Sequence, residues 1–141
     1  MSSAGGVLAI DYGDKKCGFA STDALRIARE PLGVLRHEGQ HEVLLEHLER
    51  LLGERNVATL LVGLPLHMDG RPGARAAVVA AFVTRLRARF PALDVQEWDE
   101  RLTSKEAEAR LRALGCKGRE IRAERDSWSA LVLLDDWLRS H

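Results

Sequence analysis

The chain has 141 residues, 45% of them apolar and 30% charged, enough for one domain with a real core (residues 1–141) and unlike a disordered or collagen-like polypeptide. Formal net charge is zero, so the bulk charge does not point to a nucleic-acid or membrane-surface binder. No apolar run reaches spanning length, the MSSAGG start lacks a signal-peptide pattern, and Cys17 and Cys116 stand alone. A membrane protein, a disulfide framework and a zinc ribbon are therefore not expected, and the cytoplasm is the expected compartment.

Residues 7–10 form a continuous apolar run that ends at Asp11, and residues 17–20 form a second run of small and apolar residues. Gly13, Asp14, Lys15 and Lys16 between them have turn chemistry, so the pair is expected to be a hairpin. Residues 31–36 (PLGVLR) predict a third short strand. Residues 43–52 place Leu44, Leu45, Leu48, Leu51 and Leu52 at helical spacing with acids between them, the pattern of an amphipathic helix. Residues 58–64 (ATLLVGL) predict a buried strand, followed by the loop LPLHMDGRPG. Residues 74–90 predict a helix with Val79, Phe82, Val83, Leu86 and Phe90 on one face, stopped by Pro91. Residues 93–98 predict another strand. Thr103-Ser104-Lys105-Glu106 matches a capping box and opens a helix through Leu114. Residues 115–125 read as a polar, basic loop, and residues 126–138 as the last helix, with Ala130, Leu134, Trp137 and Leu138 on its apolar face. The order ββ(β)αβαβαα predicts a mixed sheet whose parallel part is covered on its faces.

Charge is unevenly distributed. Residues 38–54 hold five acids and one Arg, residues 71–89 hold five Arg and no acid, and residues 101–125 hold eight basic residues against four Glu. Cationic surface in the last two segments could track phosphates by counterion release, or simply be solvated helix face.

His37-Glu38-Gly39-Gln40-His41 spells H-E-x-x-H, but the motif needs both histidines on one face of a helix interior, and here it straddles a strand end and a helix start. Surface polar residues are the simpler reading. No G-x-G-x-x-G follows a strand, no G-x-x-x-x-G-K-[ST] is present, and no Ser or Cys nucleophile with a paired His is evident.

Three carboxylates occupy special places. Asp11 ends the first strand, where burying an unpaired charge is costly. Glu100 lies just past the strand at residues 93–98. Asp126 heads the predicted last helix, one turn before Ala130. If the strands neighbour each other, the three meet at the carboxyl edge of the sheet, where open α/β sheets place their sites. Clustered carboxylates repel unless cations bind them, and hard oxygen donors suit Mg²⁺ or Mn²⁺. The alternatives are an N-cap for Asp126, a pair with Arg101 for Glu100, and a hairpin-turn hydrogen bond for Asp11.

The strings IDYGDKKCGFASTD, LLVGLPLHMDG, WDERLTSKEAE and DSWSALVLLDDWL occur in this order over nearly the whole chain. Together they resemble the YqgF/RuvX family, bacterial relatives of the RuvC Holliday-junction resolvases that are also described as pre-16S rRNA nucleases. The resemblance implies a ribonuclease H-like three-layer α/β fold, with a mixed five-stranded sheet and helices on both faces. It implies an endonuclease acting on structured nucleic acid, either branched DNA or precursor rRNA. Asp11, Glu100 and Asp126 would be its catalytic and metal-binding acids, holding two Mg²⁺ or Mn²⁺ ions. A homodimer would suit a four-way junction, and no membrane partner is implied.

The resemblance also gives functional weight to Gly13, Gly63, Pro65, Asp69, Gly70, Asp99, Arg101, Leu102 and Thr103. Lys15, Lys16, Arg71, Arg75, Arg101, Lys117, Arg119, Arg122 and Arg125 are the expected nucleic-acid contacts. Arg101 is a candidate for holding a phosphate or orienting Glu100, and Thr103 for capping its helix. This sequence departs from the family pattern at His67, where Asn is usual, at Asp14 in the hairpin turn, and at Glu120 and Glu124, which dilute the basic segment KGREIRAER. A non-catalytic nucleic-acid-binding module of the same fold is the alternative. An actin-like ATPase would need a second such domain.

Overall fold

The structure is a computed structural model that describes residues 5–64 and 73–141. Its elements run β1 (Gly6–Tyr12), β2 (Lys16–Thr22), β3 (Arg29–Arg36), α1 (His41–Gly53), β4 (Val57–Leu64), α2 (Ala74–Arg89), β5 (Asp94–Asp99), α3 (Thr103–Ala113) and α4 (Gly118–Arg139). The strands form one sheet in the order β3-β2-β1-β4-β5. β1 pairs antiparallel with β2 and parallel with β4, and β4 pairs parallel with β5, so the sheet is mixed as the hairpin and the alternating elements predict. No helix among the described residues is long and apolar enough to cross a membrane.

The central strand is apolar on both faces, and its two-residue period divides the core. Leu8, Ile10 and Tyr12 pack with Leu44, Leu45, Leu48 and Leu51 of α1 and Val79, Phe82, Val83 and Leu86 of α2. Val7 and Ala9 face the other way, with Ala20 and Leu61, onto Ala130, Leu131, Leu133, Leu134 and Trp137 of α4. Small residues on that second face let α4 lie close to the sheet. Asp11 continues the Val7–Ala9 series, so the alternation directs it to the α4 side.

One helix start and one helix cap differ from the sequence expectation. The segment read as a basic loop forms the first two turns of α4, a helix of 22 residues, so Asp126 lies inside the helix rather than at its head. Arg, Glu and Ala favour helix, and the Lys117 N–H donates to Glu120 Oε1 at 2.9 Å to close the N-terminus. With Ile121 as its buried apolar residue, that stretch carries little periodic signal. The second difference is at α3. Leu102 sits at the N-cap in a left-handed conformation (φ 68°), and Thr103 Oγ1 donates to the Glu100 carbonyl at 3.0 Å. Thr103 therefore secures the sharp turn after Glu100 and does not cap α3.

α4 is fastened to the sheet at one point with unusual closeness. Gly18 is the register partner of Asp11, and a Cβ built on it would lie 2.1 Å from the carbonyl carbon and oxygen of Asp126. Ser127, fully buried, donates to the Phe19 carbonyl at 2.8 Å and accepts the Gly33 N–H at 2.9 Å. These bonds span the register shift where β3 bulges against β2. A Gly18→Ala substitution meets helix backbone that cannot swing aside. It is expected to destabilise the fold by about 2–3 kcal/mol, or roughly 6–10 °C in Tm, measured by urea and thermal unfolding.

Candidate active site

Asp11 stands at the end of β1 between two glycines on its own face of the sheet. Gly18 lies across the β1–β2 pairing, and Gly63 in β4 continues the α4-facing series from Leu61. Each glycine makes room for part of another acidic residue. The backbone of Asp126 closes on Gly18, and the Glu100 carboxylate lies against Gly63, where an added Cβ would come within 2.5 Å of Glu100 Oε1. The Glu100 N–H donates to the Leu64 carbonyl at 3.2 Å, which holds the residue where β4 and β5 end together. The fold thus brings the three predicted acids around the carboxyl end of the central strand.

A cleft of about 340 Å³ opens here, lined by Asp11, Gly13, Asp14, Lys15, Lys16, Ser104 and Asp126. Glu100 lies against Gly63 of β4 and is not among the residues that line it. Burial is the largest cause that raises the Asp11 carboxyl, to about 8, and the charges of Glu100 and Asp126 push it further in the same direction. Arg125 and Arg75 pull the other way without offsetting this. Glu100 is pushed up to about 7, again mainly by burial, with Asp99 adding to the shift and Arg75 opposing it. The site is short of positive charge. No hydrogen bond to the Asp11 side chain is found among the described residues, so the hairpin-turn bond that would have explained it structurally is not formed.

The donor set of three carboxylates is chemically suited to Mg²⁺ or Mn²⁺. Among the described residues, however, no three His, Cys, Asp or Glu side chains stand close enough to hold one ion together. Asp126 is drawn toward Lys16, whose Nζ lies 3.4 Å from its Oδ2.

The basic residues predicted as nucleic-acid contacts divide into two groups. Lys15, Lys117, Arg119 and Arg122 are exposed, the first in the hairpin turn and the others at the start of α4. The second group is held in ion pairs around the cleft. Lys16 meets Asp126, Arg75 donates to Asp14 at 2.5 Å, and Arg125 donates to Glu108 at 2.9 Å. Arg101 grips Asp99, with its Nη2 2.6 Å from Asp99 Oδ2 and its backbone N–H 2.9 Å from Asp99 Oδ1. That contact replaces the Arg101–Glu100 pairing considered from the sequence. Asp14 has its own cationic partner in Arg75. Arg71, with Pro65, His67, Asp69 and Gly70, lies outside the described residues.

Gly18, Ser127 and Ser104 escaped the sequence reading. Only the pairing of β1 with β2 shows that a small residue must face Asp11. Only the packing of α4 shows that Ser127 anchors its neighbour Asp126.

Other possible sites are accounted for structurally. His37 is buried, with Nε2 2.8 Å from the Gly13 carbonyl and Nδ1 accepting from the Gly39 N–H. His41 meets the Tyr12 hydroxyl at 3.0 Å. The H-E-x-x-H string is thus turn and core structure. Burial pushes the Cys17 thiol up to about 12, which leaves it un-ionised and unfit as a nucleophile.

Comparison with known proteins follows this geometry. The family model described as "RuvX: Holliday junction resolvase" matches residues 5–140. A "Putative pre-16S rRNA nuclease" of Anaeromyxobacter sp. (strain Fw109-5) is 44% identical over 132 residues, covering 93% of this chain and 94% of its own length. A protein of the same name from Chlorobium luteolum is 39% identical over 144 residues, covering 100% of this chain and 99% of its own. Among solved structures, T. thermophilus RuvC in complex with Holliday junction substrate aligns with a TM-score of 0.53 at 17% identity, over 96% of each chain. That likeness shows the ribonuclease H-like fold, in agreement with the mixed five-stranded sheet. With a family model matched over almost its full length and relatives of comparable size, the chain belongs to the RuvX family.

Proposed function

We propose that this protein is a divalent-cation-dependent endonuclease that hydrolyses phosphodiester bonds in structured nucleic acid. The observation that carries the reading is the placement of Asp11 between Gly18 and Gly63, with Asp126 and Glu100 entering the space those glycines leave. The upward displacement of the Asp11 and Glu100 carboxyls supports it, because a buried acid group of this kind lacks a positive counter-charge. The relatives named as pre-16S rRNA nucleases and the RuvX family description point to the same reaction class.

Asp11 is the central ligand in this reading, and Glu100 and Asp126 flank it. A bound Mg²⁺ or Mn²⁺ pair would supply a more acidic attacking water and stabilise the leaving oxygen. The chain itself presents three acceptor groups, holds Asp126 through Ser127 and α4, and holds Glu100 through the turn that Thr103 secures. Exposed Lys117, Arg119 and Arg122 on α4 extend a cationic surface from the helix that carries Asp126. Water attack on phosphorus with departure of the 3′ oxygen leaves a 5′-phosphate and a 3′-hydroxyl.

The substrate class is tested by cleaving a four-way DNA junction and precursor 16S rRNA side by side. Junction resolution calls for a symmetric dimer making paired cuts, so sedimentation with junction DNA accompanies the assay. Asp11→Asn is expected to lower cleavage on the order of a hundredfold or more in Mg²⁺ or Mn²⁺. Full activity in a clean preparation of that variant would sink the assignment. Normal nucleic-acid affinity in a parent that shows no turnover would favour the binding-module reading.

The same substitution has a stability signature. Both acids have folded-state pKa values above those of the unfolded chain, near 4. In the cation-free protein their contribution is intact below about pH 4 and is lost progressively as pH rises through about 7 and 8. Asp11→Asn removes the larger share of this loss. The cation-free variant should therefore match the parent near pH 4 and exceed its Tm by about 3 °C or more at pH 8–9. A lower Tm than the parent at alkaline pH would contradict the electrostatic account.

Gly63→Ala separates placement of Glu100 from the fold. The added methyl meets the Glu100 side chain rather than backbone, closest at Oε1 and Cδ, which can rotate away, with the Cβ at 3.0 Å. Turnover is expected to fall about 10- to 100-fold with Tm within about 3 °C of the parent.

A further inference from the structure

Lys16 lines the acidic cleft, Arg75 pairs with Asp14 of its lining, Arg125 precedes Asp126 and Arg101 follows Glu100, and each of the four is engaged by a carboxylate. Lys16 differs from the arginines because its partner, Asp126, is one of the three central acids. It also lines the same cleft as Asp11 and Asp126. Its backbone is fixed: Lys16 is in register with Arg36, and the neighbouring Lys15 carbonyl accepts the His37 and Glu38 N–H groups at 2.8 and 2.9 Å. Only its four-carbon side chain is free to swing, and that side chain is 34% exposed. A partly exposed single contact of 3.4 Å from a strongly hydrated ammonium is cheap to break. Among the described residues, Lys16 is the one ion-pair partner of Asp126.

We propose that Lys16 is the resident counter-ion of Asp126, displaced when a divalent cation binds and then free to engage a backbone phosphate of the nucleic acid. Cation and nucleic acid would then bind cooperatively, because the cation releases a positive charge that had been held against the site. The inference rests on the nuclease reading above. Lys16 acts on the cation through Asp126 and is a positioning residue in that role.

The test uses the whole chain, with Mn²⁺ binding followed by calorimetry and nucleic-acid binding followed with a four-way DNA junction and a base-paired RNA hairpin. Lys16→Gln is expected to bind Mn²⁺ about three- to tenfold more tightly than the parent, whereas Lys16→Arg stays within about twofold. With Ca²⁺ present, Lys16→Gln should bind whichever nucleic acid the parent binds about three- to tenfold more weakly, with a salt slope smaller by about 0.9. Without a divalent cation its affinity should stay within about twofold of the parent's. Unchanged or weaker Mn²⁺ binding by Lys16→Gln overturns the inference, and so does an equal loss of nucleic-acid affinity with and without Ca²⁺. If Mn²⁺ binding depends on Asp11 but not on Lys16, the nuclease reading stands and this inference fails. If Asp11→Asn binds Mn²⁺ as the parent does, the cation site itself is wrong.

Discussion

The contact of the α4 backbone with Gly18 is the constraint on which the rest of the site depends. It brings the carbonyl of Asp126 so near β2 that no side chain fits between them, directly across the hairpin from Asp11. Ser127 locks the contact by bonding to backbone of both β2 and β3, at the place where their register shifts. A helix inserted this closely cannot slide along its axis without losing both Ser127 hydrogen bonds, one of them fully buried. The position of Asp126 is therefore set by the sheet and not only by the helix that carries it.

The same helix shows how this fold treats a buried carboxylate that needs only neutralising. Asp135 is 6% exposed and lies between Arg29 of β3 and Arg110 of α3, with Arg110 Nη1 2.7 Å from its Oδ2. Its charge is matched by two guanidinium groups, and the pairing ties three elements together. Asp11, at the end of β1, has the repulsive neighbours Glu100 and Asp126 and, among the described residues, no ion-pair partner of its own. The contrast separates an acid neutralised within the fold from one that the fold leaves without a matching charge, which is the feature the proposed cation site builds on.

Much of this was legible in the residues. The apolar runs placed all five strands, and the 3.6-residue spacing of Leu44, Leu45, Leu48 and Leu51 and of Val79, Phe82, Val83 and Leu86 placed α1 and α2 with the faces they bury. Asp11, Glu100 and Asp126 were singled out from expected positions at strand and helix ends, although Asp126 lies within α4 and not at its head. Three things were hidden. The start of α4 has too few apolar residues to show a period, although its residues favour helix. The Thr103–Glu106 pattern promised a cap, but the reversal after Glu100 claimed the Thr103 hydroxyl first. Gly18 and Ser127 acquire meaning only through long-range pairing, which local sequence does not encode.

The paired cations around the cleft explain why net charge was a poor guide to function. Zero overall charge does not mean weak local fields here, because acids and bases are sorted by depth. Asp11 is buried at the end of β1 and Glu100 is buried just past β5, while Lys16, Arg75, Arg101 and Arg125 are each held in an ion pair with a carboxylate. A polyanion approaching such a surface meets cations already engaged. Its affinity depends on how many of those pairs it or a divalent cation can open. Arg101 holds Asp99 through both backbone and side chain and opens least readily, whereas Lys16 holds Asp126 by one 3.4 Å contact. Of these four pairs the longest contact is thus the one that reaches Asp126, which is why the proposed exchange of Lys16 for a cation is placed there and not at an arginine.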